Sequence, residues 1–376
     1  MRDRRPPARG ASLAAPLAVV WLAVVVYASL FPFGGWRWPP GLAGSELLLL
    51  RWPRYFIPFD IVSNLLAYLP LGALLTVATV RQGAGPGRAA LLAVLASAGL
   101  SYGLEVLQYL LPPRVPSLLD WLLNAAGAAL GALVAQAALA AGALRGWERW
   151  RGRWLEEGSA GAMALLLLWP VALLFPAPVP LGLGQVAGPL QAVLRDLVAD
   201  VPWAAGLEDW LALDEPGADH LSRAGQLLAV MLGMLAPGLL AFASARRGWQ
   251  RLWLAGGAAG MALAATTLST ALNFGPDHAF AWWSLPTGVA IGLGLLLTLA
   301  LVRAGQRVAA GLGLVVLTGL VALVNQAPTD PYLLESLQAW EQGRFIRFHG
   351  LAQWVGWLWP YGAMAWLLLR LARRER

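Results

Sequence analysis

The chain has 376 residues, of which 59% are apolar and only 12% charged, with a net charge of +7. Soluble domains carry about twice that charged fraction, so lipid is the main solvent expected. All 27 basic residues are arginine and there is no cysteine, which excludes disulfides, thiolate metal sites, iron–sulfur clusters and a cysteine nucleophile.

The arginines fall between apolar runs, so the basic balance reads as a topology signal and not as a nucleic-acid footprint. A membrane-spanning helix needs about 20 apolar residues. Ten segments qualify or come close: 12–30, 60–80, 89–111, 118–144, 159–175, 223–243, 252–272, 284–302, 308–324 and 351–370. Arg2, Arg4, Arg5 and Arg9 precede the first, and Phe31-Pro32-Phe33 follows it where a cleavable leader would carry small residues. The first segment is therefore expected to be a retained helix. Alternating sides from a cytoplasmic N-terminus places 19 of the 27 arginines inside. The fold class expected is all-α: a polytopic integral membrane bundle of about ten spans, N-in and C-in. Tryptophans near span ends (Trp36, Trp38, Trp52, Trp121, Trp253, Trp282, Trp283) read as an interfacial belt.

Three regions follow from this reading. Residues 1–144 form a four-span domain, 145–158 a cytoplasmic arginine-rich linker, and 159–376 a six-span extension. Within the outer loop 176–222, Leu190, Val193, Leu194, Leu197, Val198 and Val201 recur at helical spacing behind Pro189. They predict an amphipathic helix on the outer membrane surface, within an outer segment near 189–214. A shorter version is expected at 331–342, through Leu333, Leu334, Leu337 and Trp340.

Ionisable groups within spans are costly and point to function. Asp60 opens the second span, Glu105 lies within the third and Asp120 opens the fourth. Asp60/Asn64 and Asp120/Asn124 both read Asp-x-x-x-Asn, which puts each pair about 40° apart on one helix face. Ser101, Glu105 and Gln108 share a stripe on the third span, and Arg114 stands in the connection that follows. Counting a 1.5 Å rise per residue, Glu105 falls about 9 Å below an outer end at Leu111, at the depth of Asn124. These eight residues, Asp60, Asn64, Ser101, Glu105, Gln108, Arg114, Asp120 and Asn124, are expected to converge on one outer-leaflet pocket. The competing account is structural: Asp60 and Asp120 sit where N-caps sit, and asparagines can join helices. Gly127 and Gly131 continue the fourth span's stripe as a small-xxx-small pair. His220, His278 and His349 offer no metal-ligand spacing and read as interface residues, so no metal or cofactor is expected. No nucleophile elbow, HExxH or P-loop is present.

The segment from Phe59 through Asp60, Asn64 and Pro70-Leu71-Gly72, then Glu105-Val-Leu-Gln108, Arg114, Asp120-Trp-Leu-Leu-Asn124 and Gly127 to Gly131, resembles the VanZ-like family over about residues 13–143. Ser117 departs from relatives that carry an acid nearby. The resemblance implies a bacterial inner-membrane protein of the cell envelope, with a link to tolerance of the glycopeptide teicoplanin. The expected partners are membrane lipid and a lipid-linked or other amphipathic small molecule, with no nucleic acid; a homo-oligomer is compatible with such a bundle. Arg114 would contact an anionic headgroup, while Glu105, Asp60 and Asp120 hold a cation, an amine or exchangeable protons. Two alternatives stand beside binding or transport: an intramembrane enzyme with Glu105 as general acid/base, and a non-catalytic envelope scaffold.

Overall fold

A computed structural model describes residues 13–31, 33–41, 44, 46–55, 58–112, 114–175, 177–198, 221–327 and 346–372. The described residues are helical with no strand beyond a single bridge, Leu155 with Ala245. Each of the ten apolar segments is a helix. Six are long and apolar enough to cross a membrane; Ala14–Leu30, Ala160–Ala172 and Leu285–Ala300 are apolar but shorter. The chain is thus a helical, multi-pass membrane protein. It divides into two compact units, Met1–Arg153 and Trp154–Arg376.

In the first unit, α1 is Ala14–Leu30, α2 Pro58–Arg81, α3 Pro86–Gln108, α4 Leu118–Ala140 and α5 Ala143–Trp154. The tightest seam runs between α2 and α4. A Cβ added at Gly127 would strike the Leu65 carbonyl, one at Gly131 the Leu69 carbonyl, and one at Gly72 the Ala128 carbonyl. The two backbones therefore touch directly, which is how helices associate where lipid supplies no hydrophobic drive. The Trp21 indole donates to the Ala67 carbonyl at 2.7 Å and ties α1 to α2 just ahead of Pro70. The stretch read as a linker is helical: α5 sets Leu144, Trp147 and Arg151 on one face, with Arg145, Arg149 and Arg153 exposed on another. Glycine and tryptophan there obscured a helical period that four arginines carry just as well.

In the second unit, α6 is Ala160–Ala172, α7 Ala187–Val198, α8 Arg223–Ser244, α9 Trp249–Phe274, α10 Leu285–Ala300, α11 Gln306–Val324 and α12 Ile346–Ala372. Helix α8 is the enclosed centre, buried from Gly233 through Ser244. Helix α6, at 13 residues, reaches only about 20 Å, short of the roughly 30 Å hydrocarbon thickness. The chain after it does not leave for the surface as an outer loop would. Val179, Leu181 and Leu183 are buried, Leu181 takes a left-handed φ of 62°, and its carbonyl lies against Gly233 of α8. Non-helical backbone at that depth is tolerated only when protein covers it and its polar groups are met. Gly184 N–H donates to the Gly356 carbonyl at 3.0 Å, and the Gly184 carbonyl accepts from Asn325 at 3.0 Å and from the Tyr361 hydroxyl at 3.2 Å. Asn325 Oδ1 also accepts from Val186 and Ala187 N–H at 3.0 and 2.8 Å, capping α7 from outside its own sequence. Helix α7 carries Leu190, Val193, Leu194 and Leu197 exposed along one stripe. It begins two residues before Pro189, which occupies its first turn, where a missing N–H costs nothing. Stretch 331–342 and the residues beyond Val198 toward 214, Val201 among them, lie outside the described residues.

Candidate functional site

The connections place three helix ends together. Residues 82–85 return the chain from α2 to α3, and 109–117 return it from α3 to α4, so the starts of α2 and α4 meet the end of α3. Ser117 caps α4, its hydroxyl accepting from the Asp120 N–H at 3.3 Å. Ser117, and not Asp120, is thus the cap that the sequence account assigned to an aspartate. This leaves the Asp120 carboxyl to face α2, where Asn64 and Asp60 are both close enough to act on it electrostatically. Asp60 itself is exposed at the opening turn of α2.

Glu105 is 5% exposed. Its Oε2 accepts from the Ser117 N–H at 2.9 Å. Helix α3 ends at Gln108, not at Leu111, so Glu105 lies about one turn from the helix end, shallower than the sequence count implied. Its burial comes from the connection folded over it, in which Leu111 and Ser117 are both buried. One turn deeper, Asn124 Nδ2 donates to Ser101 Oγ at 2.9 Å. Tyr68, one turn past Asn64 on α2, is buried near Ser101 and within electrostatic reach of Glu105. Asn124 Oδ1 is buried and accepts no hydrogen bond.

Six of the eight expected residues therefore meet: Asp60, Asn64, Ser101, Glu105, Asp120 and Asn124. The other two turn toward α1. Gln108 donates to the Ser29 carbonyl at 3.0 Å, and the Arg114 guanidinium donates to the carbonyls of Ala28 and Phe31 at 3.0 and 2.7 Å. Helix α1 has no basic residue in its last turn, so its orphan carbonyls draw donors from elsewhere in the chain. Arg114 thus bonds the end of α1, while its charge still acts on Glu105. Tyr68 and Ser117 are the residues that sequence reasoning missed. Tyr68 continues the Asp60/Asn64 stripe at the next i+4 step, and a Ser three residues before Asp120 is a capping signal.

The segment around 37–51 is bonded to this end, Arg37 N–H donating to the Leu110 carbonyl and Leu118 N–H to the Arg51 carbonyl. Tyr102 and Tyr109 hydroxyls donate to the carbonyls of Leu48 and Leu49, at 2.5 and 2.8 Å, and Trp36, Trp38 and Trp52 are exposed. Trp121 and Trp282 differ from the expected belt. Their indoles bond Ala98 O and Thr267 Oγ1, so they join neighbouring segments.

Residues 16–139 match the VanZ/LLP1 family model. They form a VanZ-like domain. The match covers α1 through nearly all of α4, including every residue of the polar cluster. No curated protein and no solved structure is significantly similar to the chain. Among the described residues, no three His, Cys, Asp or Glu side chains are grouped to hold a metal. Of the three histidines only the surroundings of His278 are described, in a short 3-10 turn, Pro276–His278.

Proposed function

We propose that the VanZ-like domain binds the polar headgroup of an amphipathic, lipid-linked molecule of the bacterial cell envelope and presents or moves it within the outer leaflet of the inner membrane. The observation that carries this is the buried Asn124 Oδ1, an acceptor left without a donor among carboxyls from three helices, Asp60 of α2, Glu105 of α3 and Asp120 of α4. Buried polar groups in folded proteins are nearly always paired, and an acceptor-rich pocket suits a hydroxyl- or amine-bearing headgroup. Asp60, exposed at the mouth, meets the ligand first; Asp120 with Asn64 forms the middle, and Glu105 with Asn124 the floor. Ser101 and Tyr68 set the orientation of the Asn124 amide. Arg114 and Gln108 act indirectly, fixing α1 against the connection that covers Glu105. Tolerance of teicoplanin is the expected consequence where the bound molecule is a wall-precursor-like lipid.

This reading assumes ten spans with both termini cytoplasmic, supported by the arginine partition. Reporter fusions after Arg81 and after Arg151 should report cytoplasm and one after Gln326 the exterior; an exterior signal after Arg151 removes the topology on which the outer-leaflet assignment depends.

The binding test compares full-length wild type, Glu105→Gln and Asp120→Asn at equal membrane abundance, with co-purified lipid identified by mass spectrometry. Each substitution preserves shape and removes one carboxyl. The expected result is at least a tenfold loss of one bound species in Glu105→Gln, consistent with about 1–3 kcal/mol for leaving a buried polar group of the ligand without its partner. Asp120→Asn, nearer the mouth, should lose less. Identical lipid content in all three proteins overturns the proposal and leaves the cluster as interhelical glue.

A further inference from the structure

The segment between α1 and α2 pairs each of its arginines with aromatic neighbours: Trp36-Arg37-Trp38, Arg51-Trp52 and Arg54-Tyr55. All of these residues are exposed. Backbone bonds from Arg37 to Leu110 and from Leu118 to Arg51, with the Tyr109 hydroxyl on the Leu49 carbonyl, fix the segment in place. They hold it against the same helix ends that gather Asp60, Glu105 and Asp120. Glu46 is the one acid between Phe33 and Tyr55. Among the described residues no carboxylate pairs with Arg37, Arg51 or Arg54. Tyr109 lies within electrostatic reach of both Arg51 and Glu105. Opposite charges thus flank one phenol without pairing with each other.

We propose that Arg37, Arg51 and Arg54 hold the phosphate of the lipid whose headgroup the carboxyl cluster takes, which makes the ligand a lipid phosphate and not a phosphate-free glycolipid. The inference rests on the proposed headgroup site and adds the chemical class of its ligand. Charge complementarity selects phosphate: the arginine fork donates two hydrogen bonds at once to such an oxyanion. The aromatic neighbours select a membrane-borne phosphate over a free one. Tryptophan and tyrosine settle at the level of the lipid headgroups, and Leu48 and Leu49, exposed on the same segment, add apolar contact there. A phosphate with a hydroxyl or amine beyond it presents an anion and then a donor, which matches guanidinium at the rim and carboxyl within. In the proposed topology these arginines also stand outside, against the usual inward bias of basic residues. A local task for their charge accounts for that placement.

The test is native mass spectrometry of the full-length protein released from nanodiscs of equal phosphatidylglycerol and digalactosyldiacylglycerol. Both lipids carry hydroxyls, and only the first carries a phosphate. Wild type should retain phosphatidylglycerol with a preference of about tenfold or more, and Arg51→Gln should lower it about fivefold, the scale of one basic residue at a membrane surface. Arg37→Gln, Arg51→Gln and Arg54→Gln together should bring the two lipids to parity while leaving the thermal midpoint unchanged, because the side chains are exposed. The same three positions changed to lysine should recover part of the preference, keeping charge without the fork. Arg145→Gln, Arg149→Gln and Arg153→Gln together remove equal charge from α5 and should leave the preference as in wild type. Equal retention of both lipids by wild type overturns the proposal, as does an unchanged preference in the first triple variant. An equal fall in the α5 variant overturns it by making the attraction a general one. Release of phosphatidylglycerol by excess inorganic phosphate overturns it by giving the arginines to a free anion. Loss of preference in the first triple variant with wild-type lipid content in Glu105→Gln removes the headgroup reading and leaves a phosphate site alone. The reverse pattern removes the phosphate site and leaves the headgroup reading standing.

Discussion

Replacing Arg251 with alanine is expected to cost several kcal/mol of stability in the second unit and to abolish recovery of folded protein. Arg251 is 0% exposed, the largest fully buried side chain among the described residues. Its two terminal nitrogens donate to Val302 and Ala304 carbonyls at 3.0 and 2.7 Å, and to Phe242 and Ala245 carbonyls at 2.7 and 3.1 Å. Those carbonyls belong to the end of α8 and to the turn after α10, which are two helix C-termini. The guanidinium also lies 5.2 Å from the Phe242 ring centroid, within cation–π reach. Placed in the first turn of α9, the cation opposes that helix's own dipole, but the negative ends of two others outweigh it. Each hydrogen bond to a charged donor is worth about 1.5–3 kcal/mol, and the four act as one unit, so their loss is large but less than their sum. Arg251→Lys keeps the charge with three donors and no fork, and should fall between. Arg246→Ala supplies the control, because it removes an exposed arginine from the same inter-span segment and the same topology signal. Thermal unfolding followed by fluorescence-detected size exclusion reads all three. If Arg251→Ala matches Arg246→Ala, the four hydrogen bonds carry no stability.

Arg251 also shows where sequence reading stops. In the cluster 246–251 three arginines count equally toward topology, and nothing in their spacing marks one as buried. What distinguishes Arg251 is a shortage of donors at two distant helix ends, and such needs become visible only when the ends meet. The bonds of Gln108 and Arg114 to α1 are hidden for the same reason, since the carbonyls they serve lie about 80 positions away. By contrast, the ten apolar segments and the Asp60, Asn64, Glu105, Asp120 and Asn124 cluster were legible. Each depends on local period, on span polarity and on the cost of charge in lipid, all of which act along one helix at a time. The buried segment around Leu181 was read as an outer loop because its prolines and glycines break helical period. Its burial is decided by Gly233, Asn325 and Gly356, residues of three other helices. Tyr68 stands on the Asp60/Asn64 stripe, but a neutral phenol carries no cost of charge in lipid to mark it in the sequence.

The second large effect expected is at Gly131. Helix α4 meets α2 through backbone alone at Gly127 and Gly131, and α2 answers with Gly72 against Ala128. Close approach of this kind gains dispersion and weak Cα–H···O contacts along the whole seam. A methyl at Gly131 has no flexible neighbour to displace, because what it strikes is the Leu69 carbonyl and the Ala73 N–H. The helices must separate, and separation at Gly131 spreads along a rigid rod toward Asn124 and Asp120, which hold the α4 half of the polar cluster. Overpacking typically costs about 1–3 kcal/mol, and here the obstacle is backbone, so Gly131→Ala should fall at the upper end and Gly131→Leu should prevent folding of the domain. Gly99→Ala, at a helical glycine whose added Cβ would meet nothing within 4 Å, should instead stabilise slightly, by up to about 1 kcal/mol from helix propensity. Thermal midpoints in detergent distinguish the two, and lipid retention on the surviving Gly131→Ala protein reports whether the polar cluster is disturbed with the seam. If Gly131→Ala unfolds at the wild-type temperature, the α2–α4 contact is looser than its geometry requires, and the polar cluster is held together by its hydrogen bonds, Asn124 to Ser101 and Ser117 to Glu105, and not by the glycine seam.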